Sequence, residues 1–333
     1  MHKFILILQL LLSVIYLYPQ HLINKNNSKY SNQSIFDLPK INVDDVNIGL
    51  WALIIAKEFD NSVDVQADLK KLEKMAEEIN KMLAGRSKDI DKFLAVKMFI
   101  YEAGEWNNFT PFTYDLNDPL GKNLENQLLS SYLDSRKGNC VSMPTFFLSL
   151  MEQVAPETEF VGVKAPLHLF CRLRDKQTGD VYNVETTNGG NPARNQYYID
   201  QMKISDEAIK SGLFLRDLNK KEYLAELMTT LVSKERRNDN YDKAISYAEL
   251  ILQLSPNSEL GLVNKGALLS EIGNKKSEEG ILSEEEKDYY SKESKKYIDK
   301  AISLGWKPES KEDRENYLKS VKSENEKMKE DKR

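Results

Sequence analysis

Cys140 and His168 are the two residues whose types could together do covalent chemistry. A thiol attacks a carbonyl once a base has taken its proton, and the base works best when a third group holds its ring. The chain has three histidines, of which His2 and His21 stand at the extreme N-terminus, so His168 is the base available to the folded part. Cys140 precedes a segment rich in Phe and Leu, Val141 to Val154, with Pro144 where a first helical turn tolerates proline. The spacing predicts a helix beginning at or just before Cys140. Unpaired N–H groups and the positive end of the dipole there favour a thiolate.

His168 begins a segment, Leu167 to Arg174, that reads as a strand, as do Glu159 to Val163 and Val181 to Thr186. The last two strands flank Asp175-Lys-Gln-Thr-Gly179, a hairpin loop. Folded symmetrically about Lys176-Gln177, the hairpin sets residue 168 opposite Glu185. A different loop type shifts the pairing by one or two positions and makes Asn183, on the same face, the competing residue. Either side chain can orient an imidazole. Alternation also turns Cys171 away from His168. A Cys140–Cys171 disulfide and a Cys140–His168 pair are therefore competing arrangements, and the pair is favoured, with Cys171 as a core residue. Cys140, His168 and Glu185 lack the short spacing of a zinc motif. Asn188-Gly189-Gly190 lacks the spacing and lysine of a nucleotide loop and reads as a turn shaping one side of a cleft. No metal or cofactor is expected.

Apolar spacing predicts helices over Asp44–Glu58, Val65–Leu83 (stopped by Gly85), Asp89–Glu105 and Leu124–Leu133. Asn107–Gly121 reads as a loop and Asp134–Asn139 as a turn. The 333 residues suffice for two domains with a sizeable core. A net charge of -5 gives no basic field, so nucleic acid is not an expected partner. His2 and Lys3 precede an apolar run of about 15 residues, Phe4 to Tyr18. That length suits a secretory signal better than a spanning helix, which needs roughly 20. Tyr16 to Pro19 offer no small-residue cleavage site, so an uncleaved anchor attaching the chain to a membrane is the alternative. Either way the chain is expected on the exported, periplasmic or extracellular, side. No cysteine follows the run to carry a lipid.

Three segments carry a resemblance. Leu133-Asp-Ser-Arg-Lys-Gly-Asn-Cys140, Ala165-Pro-Leu-His-Leu-Phe170 and Val184-Glu-Thr-Thr-Asn-Gly-Gly190 resemble the motifs of SirB-type transglutaminase-like proteins. Ala52-Leu-Ile-Ile-Ala56 and Tyr114-Asp115 are similar to that family's N-terminal region, and the likeness spans roughly 45 to 215. It implies an α+β fold, a helical part and an antiparallel sheet forming a papain-type core. It also implies acyl transfer or hydrolysis at an amide or thioester carbonyl of a protein or peptide. Cys140 would attack, His168 would serve as base and then acid, and Glu185, where the family has Asp, would hold His168. The backbone N–H of Cys140 is a candidate oxyanion donor, and Trp106 and Asn107 lie where a site wall is expected. The other reading is a binding scaffold that keeps the fold without the chemistry.

Tyr241 to Pro256 resembles the second helix and exit proline of a tetratricopeptide repeat, with Ala244 and Ala248 at small packing positions. Asp299-Lys-Ala-Ile-Ser303 repeats Asp242-Lys-Ala-Ile-Ser246 at a spacing of 57 (242 to 299). The usual period is about 34, so roughly 23 residues, the polar stretch 274–296, read as an insertion. Such helices would present a surface to a partner protein. The expected organisation is a leader or anchor at 1–20, a linker at 21–40, a transglutaminase-like domain at 41–218, helical repeats at 219–308 and a charged tail at 309–333.

Overall fold

Gly138, Gly162, Gly266 and Gly305 stand at close approaches of the chain to itself, and their contacts outline the architecture. In the computed structural model, residues 33–119 and 121–308 are described, together with positions 310, 312, 315 and 319. The expected leader, most of the linker and most of the tail lie outside the described residues. The chain divides into two units, Met1–Ser34 and Ile35–Arg333, and every described helix and strand belongs to the second.

The helical layer comprises α1 (Ile48–Phe59), α2 (Val65–Leu83), α3 (Asp89–Tyr101), α4 (Leu129–Ser135) and α5 (Ser142–Val154). Helix α1 is buried without a break from Ile48 to Ala56, as its apolar composition on every side demands. It starts four residues later than expected because Val43–Asp45 form a separate 3-10 turn and Asn47 caps Leu50 N at 2.7 Å. Helix α2 matches its predicted span and buries Leu69, Leu72, Ala76, Ile79 and Leu83. Helix α3 ends at Tyr101, ahead of the expected Glu105, where Asn107 turns back to bond Phe99 O and Glu102 O. The expected helix from Leu124 breaks at Leu128 into a 3-10 turn, Leu124–Gln127, and α4. Ile35–Lys40 is a 3-10 turn that buries Ile35 and Leu38 and stacks Phe36 on Tyr247, because these apolar residues have a core to enter.

Two short strands, β1 (Thr113–Tyr114) and β2 (Lys137–Gly138), pair in parallel just ahead of α5. The main sheet is antiparallel throughout, in the order β6-β5-β4-β3-β7, with β3 Glu159–Ala165, β4 His168–Arg174, β5 Val181–Glu185, β6 Asn191–Ala193 and β7 Asp217–Leu218. Its inner face packs on α5 and on α8 (Lys220–Arg237). A Cβ on Gly162 would lie 2.1 Å from the Tyr223 ring, so the α8 tyrosine reaches the sheet backbone itself. The outer face carries Val163, Ala165 and Phe170, covered by Tyr198 of α6 (Asn195–Met202), Ala208 of α7 (Asp206–Lys210), Leu213 and Phe214.

The C-terminal region is helical: α8, α9 (Tyr241–Leu254), α10 (Glu259–Glu278) and α11 (Glu284–Ser303), each packing on the next. The stretch 274–296 is largely helical. Helix α10 runs into it as far as Glu278 and α11 begins within it, with a Ser283–Glu286 capping box at the start of α11. Gly266 and Gly273 let α11 lie close, since a Cβ there would meet Ile298 and Tyr290 at 2.9 Å. The region is held at both ends. Lys164 of β3 reaches Glu226 of α8 and Glu259 of α10, and Gly305 presses on the Ala208 backbone beside Leu304 and Trp306. Among the described residues no helix is long and apolar enough to cross a membrane.

Candidate functional site

The nucleophile turn is built by Gly138, Asn139 and Ser142. A Cβ on Gly138 would fall 2.4 Å from Ser142 Oγ and 2.5 Å from the Tyr132 ring, so this position accepts only glycine. Asn139 Oδ1 accepts from Val141 N at 2.9 Å, and Ser142 Oγ accepts from Asn139 N at 3.1 Å. This exchange delays the helix: α5 begins at Ser142, two residues after Cys140 and not at or before it. Cys140 sits in the turn, partly exposed, and among the described residues its N–H has no acceptor. Upstream, Arg136 donates to Asn107 O at 2.9 Å and lies over the Phe112 ring. Asn107 is thus a buried brace, and the Trp106 indole packs against Gly104.

His168 opens β4 on the outer face of the sheet, and its Nε2 is 2.7 Å from Glu185 Oε2 at the end of β5. With Nε2 so held, Nδ1 is the ring nitrogen not engaged by Glu185, and Cys140 is close enough to raise the ring's pKa. The hairpin reaches this arrangement by a register different from the symmetric one. Cys171 pairs with Val184 and Arg174 with Val181, so the loop is 175–180 and Glu185 falls opposite Phe170, two residues from His168. A two-residue shift keeps the same face, which is why the two side chains still meet diagonally. Asn183 pairs with Arg172 and accepts from Arg172 Nε at 2.8 Å, so it is bound elsewhere.

Glu185 is saturated. Oε1 accepts from Thr187 N at 3.0 Å and from the Thr187 hydroxyl at 2.6 Å, and Oε2 accepts from the Tyr198 hydroxyl at 2.8 Å. Tyr198 is fully buried, stacks on Phe170 with centroids 4.2 Å apart, and lies 5.9 Å from the His168 ring. Neither Thr187 nor Tyr198 is identifiable from motif spacing, since Tyr198 arrives from a separate helix. The segment Asn188–Gly190 is a turn. Both of its glycines have positive φ, and Gly190 faces Tyr101, whose hydroxyl donates to Thr186 O.

Burial of the His168 ring disfavours its charge. The Glu185 carboxylate, its hydrogen bond to the ring and the neighbouring Cys140 outweigh that and push the ring up to about 10. Burial likewise opposes the charge on Glu185, but His168 and the Thr187 donors hold the carboxyl down to about 2. The raised histidine contributes stability in full below pH 6.5, and this is lost as pH rises through 10. The depressed glutamate contributes in full above pH 4.5, and this is lost as pH falls through 2. Glu185→Gln should therefore lower the thermal midpoint most between about pH 4.5 and 6.5 and least near pH 10. Thermal unfolding of both chains across that range checks it, and an equal loss at every pH would contradict it.

Cys171 is fully buried on the opposite face, its thiol 3.7 Å from Pro144 O. Both cysteines are free, so the disulfide alternative is not formed. The Cys140 thiol instead lies 3.7 Å from the carbonyl oxygen of Leu167.

Comparison with curated proteins and with solved structures gives no match. Residues 66–228 match the family model described as the transglutaminase-like superfamily. That span opens in α2, takes in the Cys140 turn, the whole sheet and Glu185, and closes within α8. The chain carries a transglutaminase-like superfamily domain at residues 66–228, followed by a helical C-terminal region.

Proposed function

We propose that this domain is a cysteine enzyme that transfers or hydrolyses acyl groups of proteins or peptides, with Cys140 as nucleophile, His168 as proton carrier and Glu185 as its orienter. The observation that carries this reading is the saturated Glu185 carboxylate, which fixes the His168 ring by Nε2 and leaves Nδ1 unengaged. A ring pushed up to about 10 carries its proton at neutral pH and stands beside the sulfur as an imidazolium. Sγ attacks the carbonyl carbon, and the oxyanion takes the unspent N–H of Cys140. His168 then gives its proton to the leaving amine as the C–N bond breaks, leaving a thioester on Cys140. Water or a second amine, deprotonated by His168, attacks that thioester and releases the sulfur.

The three motif segments around Cys140, His168 and Glu185 support a SirB-type assignment within the superfamily. The helical region serves, in this reading, to hold a partner protein. The repeated Asp-Lys-Ala-Ile-Ser segments support it, since Ala244 and Ala301 are both fully buried at equivalent places. The apolar N-terminal run would deliver the chain to the exported side.

The test is mass spectrometry of the full chain after incubation with libraries of peptide and thioester acyl donors. A Cys140-linked acyl adduct that is absent from Cys140→Ser is expected. A folded native chain that acquires no adduct from any donor would remove the enzymatic reading and leave a binding scaffold.

A further inference from the structure

The turn that delivers His168 contains an anomaly. Ala165 pairs with His168 across the β3–β4 hairpin, so the whole connection is Pro166-Leu167. Leu167 has φ +53°. A two-residue turn with proline first and a positive φ second calls for glycine or asparagine at the second place. A bulky, branched side chain there strains the backbone. The same side chain is 62% exposed, whereas Leu169, two residues on, is 5% exposed. Leu167 therefore carries backbone strain without the burial that would offset it.

Its location gives the strain a meaning. The carbonyl of Leu167 is the group that the Cys140 thiol meets, and the next residue is His168. Strained residues concentrate where a site needs them. The charged side chains of the site are committed to one another, with His168 and Glu185 only 14% and 10% exposed. They offer no free charge for a substrate to pair with. Leu167 is an exposed apolar group beside them, and Tyr197, half exposed, lies edge-on to Tyr198 at 5.4 Å.

On the reading of Cys140 as an acylated nucleophile, we propose that Leu167 is a specificity-determining residue, contacting an apolar side chain of the substrate next to the carbonyl that Cys140 attacks. A peptide with Leu or Phe at that place would be preferred over one with Ser or Asp. One such contact in a protein site is worth roughly 10- to 200-fold in rate.

The test uses the full chain and peptidyl electrophiles, such as vinyl sulfones, that differ only in the residue beside the reactive carbon. The reading is the ratio of Cys140 labelling rates, Leu probe to Asp probe, each divided by the iodoacetamide rate of the same protein. A ratio of about 10 or more is expected for the native chain. In Leu167→Gly and Leu167→Asn, both of which suit a positive φ, it should fall to within about twofold of unity. Leu167→Met should keep most of it. A native ratio near unity, or one that survives in both Leu167→Gly and Leu167→Asn, overturns the proposal. Failure of the underlying enzymatic reading looks different: Cys140 would then react with iodoacetamide no faster than it does in His168→Ala.

Discussion

Replacing His168 with Ala should slow acylation of Cys140 by about 10²- to 10⁴-fold, the range over which a positioned proton carrier acts. The loss has two parts. The imidazolium beside the sulfur disappears, and the leaving amine has no donor. Glu185→Gln keeps the shape and still accepts from Tyr198, but it removes the charge that raises His168. Its effect should be smaller than that of His168→Ala and should deepen as pH rises above 6.5, where an unassisted imidazole loses its proton. Tyr198 acts at one further remove, so Tyr198→Phe should cost less again. Rates of adduct formation on the three variants check this order. A Glu185→Gln chain as slow as His168→Ala at every pH would contradict the positioning role.

Replacing Lys164 with Met should cost about 3–5 kcal/mol, the penalty for stripping the partner from a buried charge. Lys164 Nζ lies 2.8 Å from Glu226 Oε1 and also bonds Glu259, and all three side chains are at most 6% exposed. Burial opposes the lysine charge, yet the two carboxylates raise its pKa. Glu259 is raised by its own burial and by Glu226. Without Lys164 two carboxylates share a dry site, one of them at the first turn of α10. In a unit of this size the loss corresponds to a fall of roughly 10 °C in Tm. The effect should be felt in the attachment of the helical region, because these three residues join β3, α8 and α10. Replacing all three by apolar residues of similar volume should restore much of the stability. A Lys164→Met chain that melts within about 2 °C of the native one would show that the cluster contributes nothing.

The sequence is most legible where a single periodicity acts alone. Helix α2 keeps its apolar stripe and its predicted ends because Asp64 caps one and Ala84-Gly85 turn away from the other. It is least legible where side chains far apart in sequence compete with the backbone pattern. Asn107 stops α3 by taking its carbonyls, and the Asn139–Ser142 exchange moves the start of α5 past Cys140. Alternation places Glu185 on the right face but cannot count the loop, so the His168–Glu185 contact is diagonal rather than direct. The stretch 274–296 reads as an insertion because the repeated segments lie 57 residues apart (242 to 299) where the usual period is about 34. Yet Lys276 lies over the Tyr290 ring and Ser294 donates to Gly266 O, so a polar surface there is compatible with two long packed helices. Leu167, Thr187, Tyr198 and the Lys164 cluster leave no signal in spacing, because each depends on the third dimension.

If His168 and Glu185 make Cys140 reactive, the most direct measurement is the rate of iodoacetamide labelling at Cys140, residue-resolved by mass spectrometry, for the native chain and His168→Ala at pH 6 and pH 8. At pH 6 native Cys140 should label well ahead of buried Cys171, and His168→Ala should slow it by about tenfold or more. Equal rates in the two chains at pH 6, or a native Cys140 no faster than Cys171, would contradict the role given to His168 and Glu185.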